Sequence, residues 1–103
     1  MTVRDEVRRL ADLGPLLAED DDSEAGDRLI EAQEEALLAI ERPLTDEEAV
    51  LLLTVFGSDD CYGMAWTLLH LVETSPTPYP RTEPPADANQ WHRRLWRRAR
   101  NAG

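Results

Sequence analysis

At 103 residues the chain can build one hydrophobic core, but not a core plus a second lobe enclosing a deep substrate cavity. Twenty-one Asp and Glu oppose eleven Arg with no Lys, and the net charge of −10 repels nucleic acid and anionic lipid while attracting basic proteins. No run of about 18 apolar residues is available to cross a membrane, and the single Cys61 permits neither an internal disulfide nor a thiolate metal site.

The charge is unevenly divided. Residues 1 to 60 carry 18 acidic and 5 basic side chains, a balance of −13, whereas residues 61 to 103 carry 3 and 6, a balance of +3. The start, MTVRDEVRRL, lacks the apolar centre of a secretory signal, and with one Cys it fits a reducing cytoplasm.

Val3, Val7, Leu10 and Ala11 follow helical spacing, so Thr2 to Leu13 is expected to form a peripheral amphipathic helix that Gly14-Pro15 stops. Leu16 to Gly26, with Glu19, Asp20, Asp21, Asp22 and Glu24 close together, reads as a solvated connection. Asp27 to Arg42 reads as a second helix with Leu29, Ala32 or Gln33, Ala36, Leu37 and Ile40 inward and Glu31, Glu34, Glu35 and Glu41 outward.

Thr45 followed by Glu48 at the third helical position is a capping-box signature, with Asp46 and Glu47 also at the positive end of the helix dipole. The helix is expected to run to Phe56, with Gly57 supplying a left-handed end. A short Gly57-Ser58-Asp59 link then leads to the most apolar stretch of the chain, Asp59 to Thr74, capped by Ser58 or Asp59 and ended by Ser75-Pro76. Only Asp60, Gly63, Thr67, His70 and Thr74 break its apolar circumference, so other elements must wrap it. The polar stripe reads as a buried network, a solvent-facing edge or the floor of a partner groove; Cys61 reads as a small core residue.

Five prolines between Pro76 and Pro85 exclude regular structure and predict an extended return along the surface, pinned by Tyr79. Asp87 to Ala102 is expected to close the fold as a helix capped by Asp87 or Asn89, with Trp91, Leu95, Trp96 and Ala99 on one face, arginines around it and His92 exposed. No strand pattern competes. The expected fold is all-α: a single domain of residues 1 to 103, a compact bundle of about five helices around a buried central hairpin, with the proline-rich connection of residues 76 to 86 inside it.

No constellation assembles an active site. The spacing of a calcium loop and the paired histidines of a helical zinc site are both missing around Asp59-Asp60. His70 and Asp60 lie about 15 Å apart along a helix, too far for a direct acid-base pair, although Glu73 is close enough to bond His70. No nucleophile elbow or phosphate loop is present. The reading is therefore non-enzymatic, with no cofactor and no metal.

RPLTDEEAVLLLTVFG, then DDCYGMAWTLLHLVETSP, then a tryptophan-bearing last helix from Asn89-Gln90-Trp91, resembles small acidic immunity proteins of bacterial polymorphic-toxin and contact-dependent growth inhibition systems. Within these it is most similar to helical inhibitors of RNase A-like toxin domains, over residues 42 to 96. The resemblance implies a cytoplasmic protein, monomeric when free, that occludes one cognate toxin without chemistry. A ribonuclease cleft must be basic to hold RNA, so acidic helical surfaces suit it. The expected contacts are Asp46, Glu47, Glu48, Asp59, Asp60, Tyr62, His70 and Glu73, with Glu31, Glu34 and Glu35 in reserve. The alternative is a non-enzymatic helical scaffold or regulatory adaptor that self-associates through its tryptophan-bearing last helix or binds another protein.

Overall fold

A computed structural model describes residues 3 to 18 and 23 to 102. Among these residues five α-helices follow in order: α1 (Asp5–Asp12), α2 (Glu24–Leu38), α3 (Asp46–Leu52), α4 (Met64–Val72) and α5 (Gln90–Ala102). Among the described residues there is no strand, and the all-α expectation holds. Thr2, expected to open the first helix, and the acidic run from Glu19 to Asp22 lie outside the described residues.

Each helix forms where local chemistry favours it. In α1, Val7 and Leu10 are fully buried, and Gly14 turns the chain with φ +89°, a conformation that costs glycine little. The second helix starts three residues earlier than expected because the Ser23 hydroxyl accepts from the Gly26 amide, satisfying one of its orphan donors. It also ends earlier, at Leu38, so Ile40 reaches the core from non-helical backbone.

The capping box of α3 is present in full: Thr45 Oγ1 accepts from the Glu48 amide at 3.2 Å, and Glu48 Oε1 accepts from the Thr45 amide at 2.9 Å. Past Leu52 the chain tightens into a 3₁₀ turn, Leu53–Val55, instead of continuing as α-helix to Phe56. Gly57 is not the left-handed cap anticipated for it. Its role is steric: a Cβ there would collide with the Leu16 carbonyl oxygen, while the Leu16 amide donates to the Val55 oxygen at 2.8 Å. The segment after α1 thus lies directly on the end of the third helix.

The link between α3 and α4 is longer than three residues, spanning 53 to 63 with a second 3₁₀ turn at Cys61–Gly63. The start of α5 is stitched onto this link. Asn89 Nδ2 donates to the Gly57 oxygen at 2.9 Å, Gln90 Nε2 to the Ser58 oxygen at 2.6 Å and Trp91 Nε1 to the Asp59 oxygen at 3.1 Å. His92, expected to be exposed, is half-buried with Nε2 2.7 Å from the Leu53 oxygen, so that nitrogen carries the proton and donates. Of the two cap candidates Asn89 serves, its Oδ1 accepting from the Trp91 amide at 2.7 Å.

The core gathers one stripe from every helix, including Leu10, Leu37, Leu52, Leu68, Trp91 and Leu95, with Cys61 fully buried as anticipated. Tyr79 packs against it from the proline-rich connection, which has no helix or strand.

Candidate functional site

The eight expected contact residues fall in two places, the head of α3 and the stretch that leads into and along α4; Glu47, Tyr62, His70 and Glu73 are exposed, Asp46, Asp59 and Asp60 half-buried and Glu48 buried. Glu48 is the clearest correction. Its side chain is 0 % exposed and faces Arg4, whose Nε lies 2.9 Å from Oε2 and whose backbone amide donates to the same oxygen at 2.9 Å. A carboxylate consumed by a capping box and an ion pair cannot meet a partner. Asp46 is half-buried and also engaged: it accepts from the Thr77 amide at 3.1 Å and from Thr77 Oγ1 at 3.0 Å, fastening the proline-rich connection to the head of α3. Only Glu47 of this trio is exposed.

The other five, Asp59, Asp60, Tyr62, His70 and Glu73, lie along one stretch that ends on α4. The helix does not start with a side-chain cap from Ser58 or Asp59. Instead the backbone turns left-handed over three successive residues, Cys61 (φ 46°), Tyr62 (φ 55°) and Gly63 (φ 89°), before entering the helix at Met64. For the two non-glycine residues this conformation costs on the order of 1–2 kcal/mol each. The surroundings hold it in place: Asp59 Oδ1 accepts from the Cys61 amide at 3.0 Å, and the Asp60 carbonyl accepts from the amides of Gly63 and Ala65. Strained backbone concentrates at functional positions, and here its product is Tyr62 held 63 % exposed.

One helical turn further on, Trp66 is 38 % exposed, although its place in an apolar run argued for burial. Thr67 and His70 are exposed as well, so the middle of the polar stripe is a solvent-facing edge, whereas Asp60 and Gly63 are half-buried and Thr74 at its end is half-buried and accepts from the Leu44 amide at 2.9 Å. The Trp66 ring stands edge-on to the buried Trp91 at 5.1 Å and lies 6.4 Å from His70. Arg94 reaches from α5 and places its guanidinium 5.0 Å from the Trp66 ring and 4.7 Å from Trp91, bracing the exposed indole from behind. Trp66 and Arg94 are the two members of the site that sequence reasoning missed. Their signal was present in type, since Trp, Tyr and Arg dominate binding hot spots, but not in pattern.

At the far end Glu73 does not bond His70. It takes Arg98 in a two-pronged pair, Nε to Oε2 at 2.7 Å and a second nitrogen to Oε1 at 3.0 Å, which raises the Arg98 pKa through that hydrogen bond. The resulting surface runs from the Asp59-Asp60 corner through Tyr62, Trp66 and His70 to a neutralised ion pair. Its middle is aromatic and one end acidic. Of the two tryptophans on the last helix, Trp91 is 1 % exposed and Trp96 half-buried.

Among the described residues no group of three or more His, Cys, Asp or Glu is placed to hold a metal ion, and no helix is long and apolar enough to cross a membrane. Comparison with protein families, curated proteins and solved structures finds nothing that matches this chain.

Proposed function

We propose that this chain is an immunity-type inhibitor that binds a basic toxin domain, of the ribonuclease class, and covers its substrate cleft without chemistry. The observation that carries the reading is the exposed Tyr62–Trp66–His70 surface beside the Asp59-Asp60 corner. Aromatic side chains with few rotatable bonds bury large area at low entropic cost, and carboxylates at one edge give charge complementarity to a cationic partner. The net charge of −10 supports the same partner through long-range attraction, which speeds encounter and weakens with salt. The exposed acidic side chains Glu31, Glu34 and Glu35 of α2 add to that field.

The test is co-purification with the product of the adjacent gene, followed by an RNase assay with and without this chain. Protection is expected at one-to-one stoichiometry. Trp66→Ala with Tyr62→Ala should weaken the complex by about 2 kcal/mol or more, as loss of central aromatic anchors does. Asp60→Arg is the cleaner charge probe, because Asp59 also supports the Cys61 turn. A stable fold with no complex and no protection would end this reading.

A further inference from the structure

A second surface, remote in character from the acidic one, lies between the proline-rich connection and α5. There a groove of about 790 Å³ is walled by Val72, Pro76, Pro78, Tyr79, Leu95 and Ala99, with the Glu73–Arg98 pair also in its lining. A smaller hollow of about 330 Å³ continues it past Pro78 and Ala99 to Arg81, Trp96 and Arg100. The larger volume falls within the roughly 300–1,000 Å³ typical of ligand pockets.

Three physical features define what fits. First, Pro76, Pro78 and Pro80 recur at every second position and have no amide hydrogen, so this wall cannot add a strand by backbone pairing. It offers fixed ring surfaces instead, and Asp46 clamps Thr77 between two of them, so little order is lost on binding. Second, the floor is apolar, with Leu95 buried beneath it and Tyr79 half-exposed at its side. Third, the charge here is opposite to that of the whole chain. Glu73 is neutralised by Arg98, whereas Arg81 and Arg100 have no acidic partner among the described residues; Arg100 lies over the Trp96 ring at 5.6 Å.

We infer that this groove binds an extended acidic peptide segment of a partner protein, with an apolar side chain seated between Tyr79 and Leu95 and carboxylates on Arg81 and Arg100. Guanidinium groups receive carboxylates in a two-pronged geometry that an ammonium group cannot match. Two acids lie close to this site and both are engaged, Glu73 by Arg98 and Asp46 by the amide and hydroxyl of Thr77, while carboxylates beyond about 8 Å are largely screened at physiological ionic strength. The groove shares the Glu73–Arg98 pair with the far end of the α4 surface, but the inference does not rest on the toxin reading.

The experiment titrates the intact chain with a fluorescein-labelled hexapeptide, Asp-Glu-Leu-Phe-Asp-Glu. Two controls accompany it, one with Lys in place of every acid and one with Gly-Ser in place of Leu-Phe. The three indole N–H resonances are followed by NMR. The acidic apolar peptide is expected to bind and to shift Trp96 while leaving Trp66 in place, and each control should bind at least tenfold more weakly. Arg81→Glu with Arg100→Glu, both exposed positions, should lower affinity at least tenfold with an unchanged melting curve. Ala99→Trp, which fills the groove, should also abolish binding. Failure of the acidic peptide to bind at 1 mM, equal binding of the Lys peptide, or a shift confined to Trp66 would overturn the inference.

Discussion

Arg4 and Glu48, forty-four residues apart, share one buried carboxylate between the head of α1 and the head of α3. The Arg4 side chain and backbone both donate to it, and so does the Thr45 amide, so Glu48 closes the capping box and joins two helices at once. Burial pushes this carboxyl upward in pKa. The Arg4 hydrogen bond, the amides of Thr45 and Arg4 and the Arg4 charge together outweigh burial and bring it from 4.5 to about 2.

The pH dependence follows from that direction. A carboxyl whose folded value lies below its unfolded one stabilises the fold fully above the unfolded value and loses that contribution as pH falls through the folded one. The stabilisation, of the order of 3 kcal/mol, should therefore be complete above about pH 5 and fade toward pH 2. Urea denaturation of the wild type and Glu48→Gln between pH 7 and pH 2 tests this. The stability gap should narrow steadily below about pH 4.5, and a gap independent of pH would contradict it.

The two partners should not cost the same when removed. Arg4→Met leaves a buried carboxylate without its cation, a loss of about 3–5 kcal/mol at neutral pH. Glu48→Gln keeps a side chain able to complete the box and leaves an arginine that is 35 % exposed and can recruit water, so about 1–3 kcal/mol is expected. Chemical denaturation of the two variants side by side should show the larger drop for Arg4→Met.

Gly57 and Gly14 separate two reasons for glycine. Gly57→Ala would drive a methyl group into the Leu16 carbonyl and part the segment after α1 from the third helix, an overpacking cost of about 1–3 kcal/mol. Gly14→Ala meets open space but must hold φ +89°, which costs about 1–2 kcal/mol through backbone strain alone. Asn at position 14 should recover part of that loss because it tolerates the left-handed region, whereas Asn at position 57 should be at least as harmful as Ala. Melting temperatures of the four variants distinguish the mechanisms.

Gln33 is a buried amide with three partners: its oxygen accepts from the Leu17 amide at 3.3 Å, and its nitrogen donates to the oxygens of Pro15 at 2.9 Å and Gly14 at 3.4 Å. Gln33→Leu preserves volume but strands those backbone groups, so a loss of about 2–4 kcal/mol is expected. Hydrogen exchange at the Leu17 amide should rise in this variant before the rest of the fold is affected.

The Asp46–Thr77 clamp predicts a local effect. Asp46→Ala should cost about 1–2 kcal/mol and should speed proteolysis at Arg81 more than anywhere in the helices, since it frees the proline-rich connection from the head of α3. Unchanged cleavage at Arg81 would show that Tyr79 alone anchors the segment.

What the chain determined locally was legible without a structure. Thr45 and Glu48 sit three residues apart, so one turn of helix is enough to bring them together. Five prolines forbid regular structure wherever they fall, and the spacing of Val7, Leu10, Ala36 and Leu37 marks faces that need burial. Tertiary structure alone decided which way the bifunctional side chains turned. Glu48 looked like an exposed acid at a helix start until Arg4 arrived from another helix. Glu73 chose Arg98 over His70, and Trp66 stayed at the surface because Trp91 and Arg94 already filled the space behind it. Gly57 needed no side chain because Leu16 crosses it. Helical period and capping act over three or four residues, while these outcomes depend on groups separated by 25 to 44 positions whose meeting no local pattern encodes.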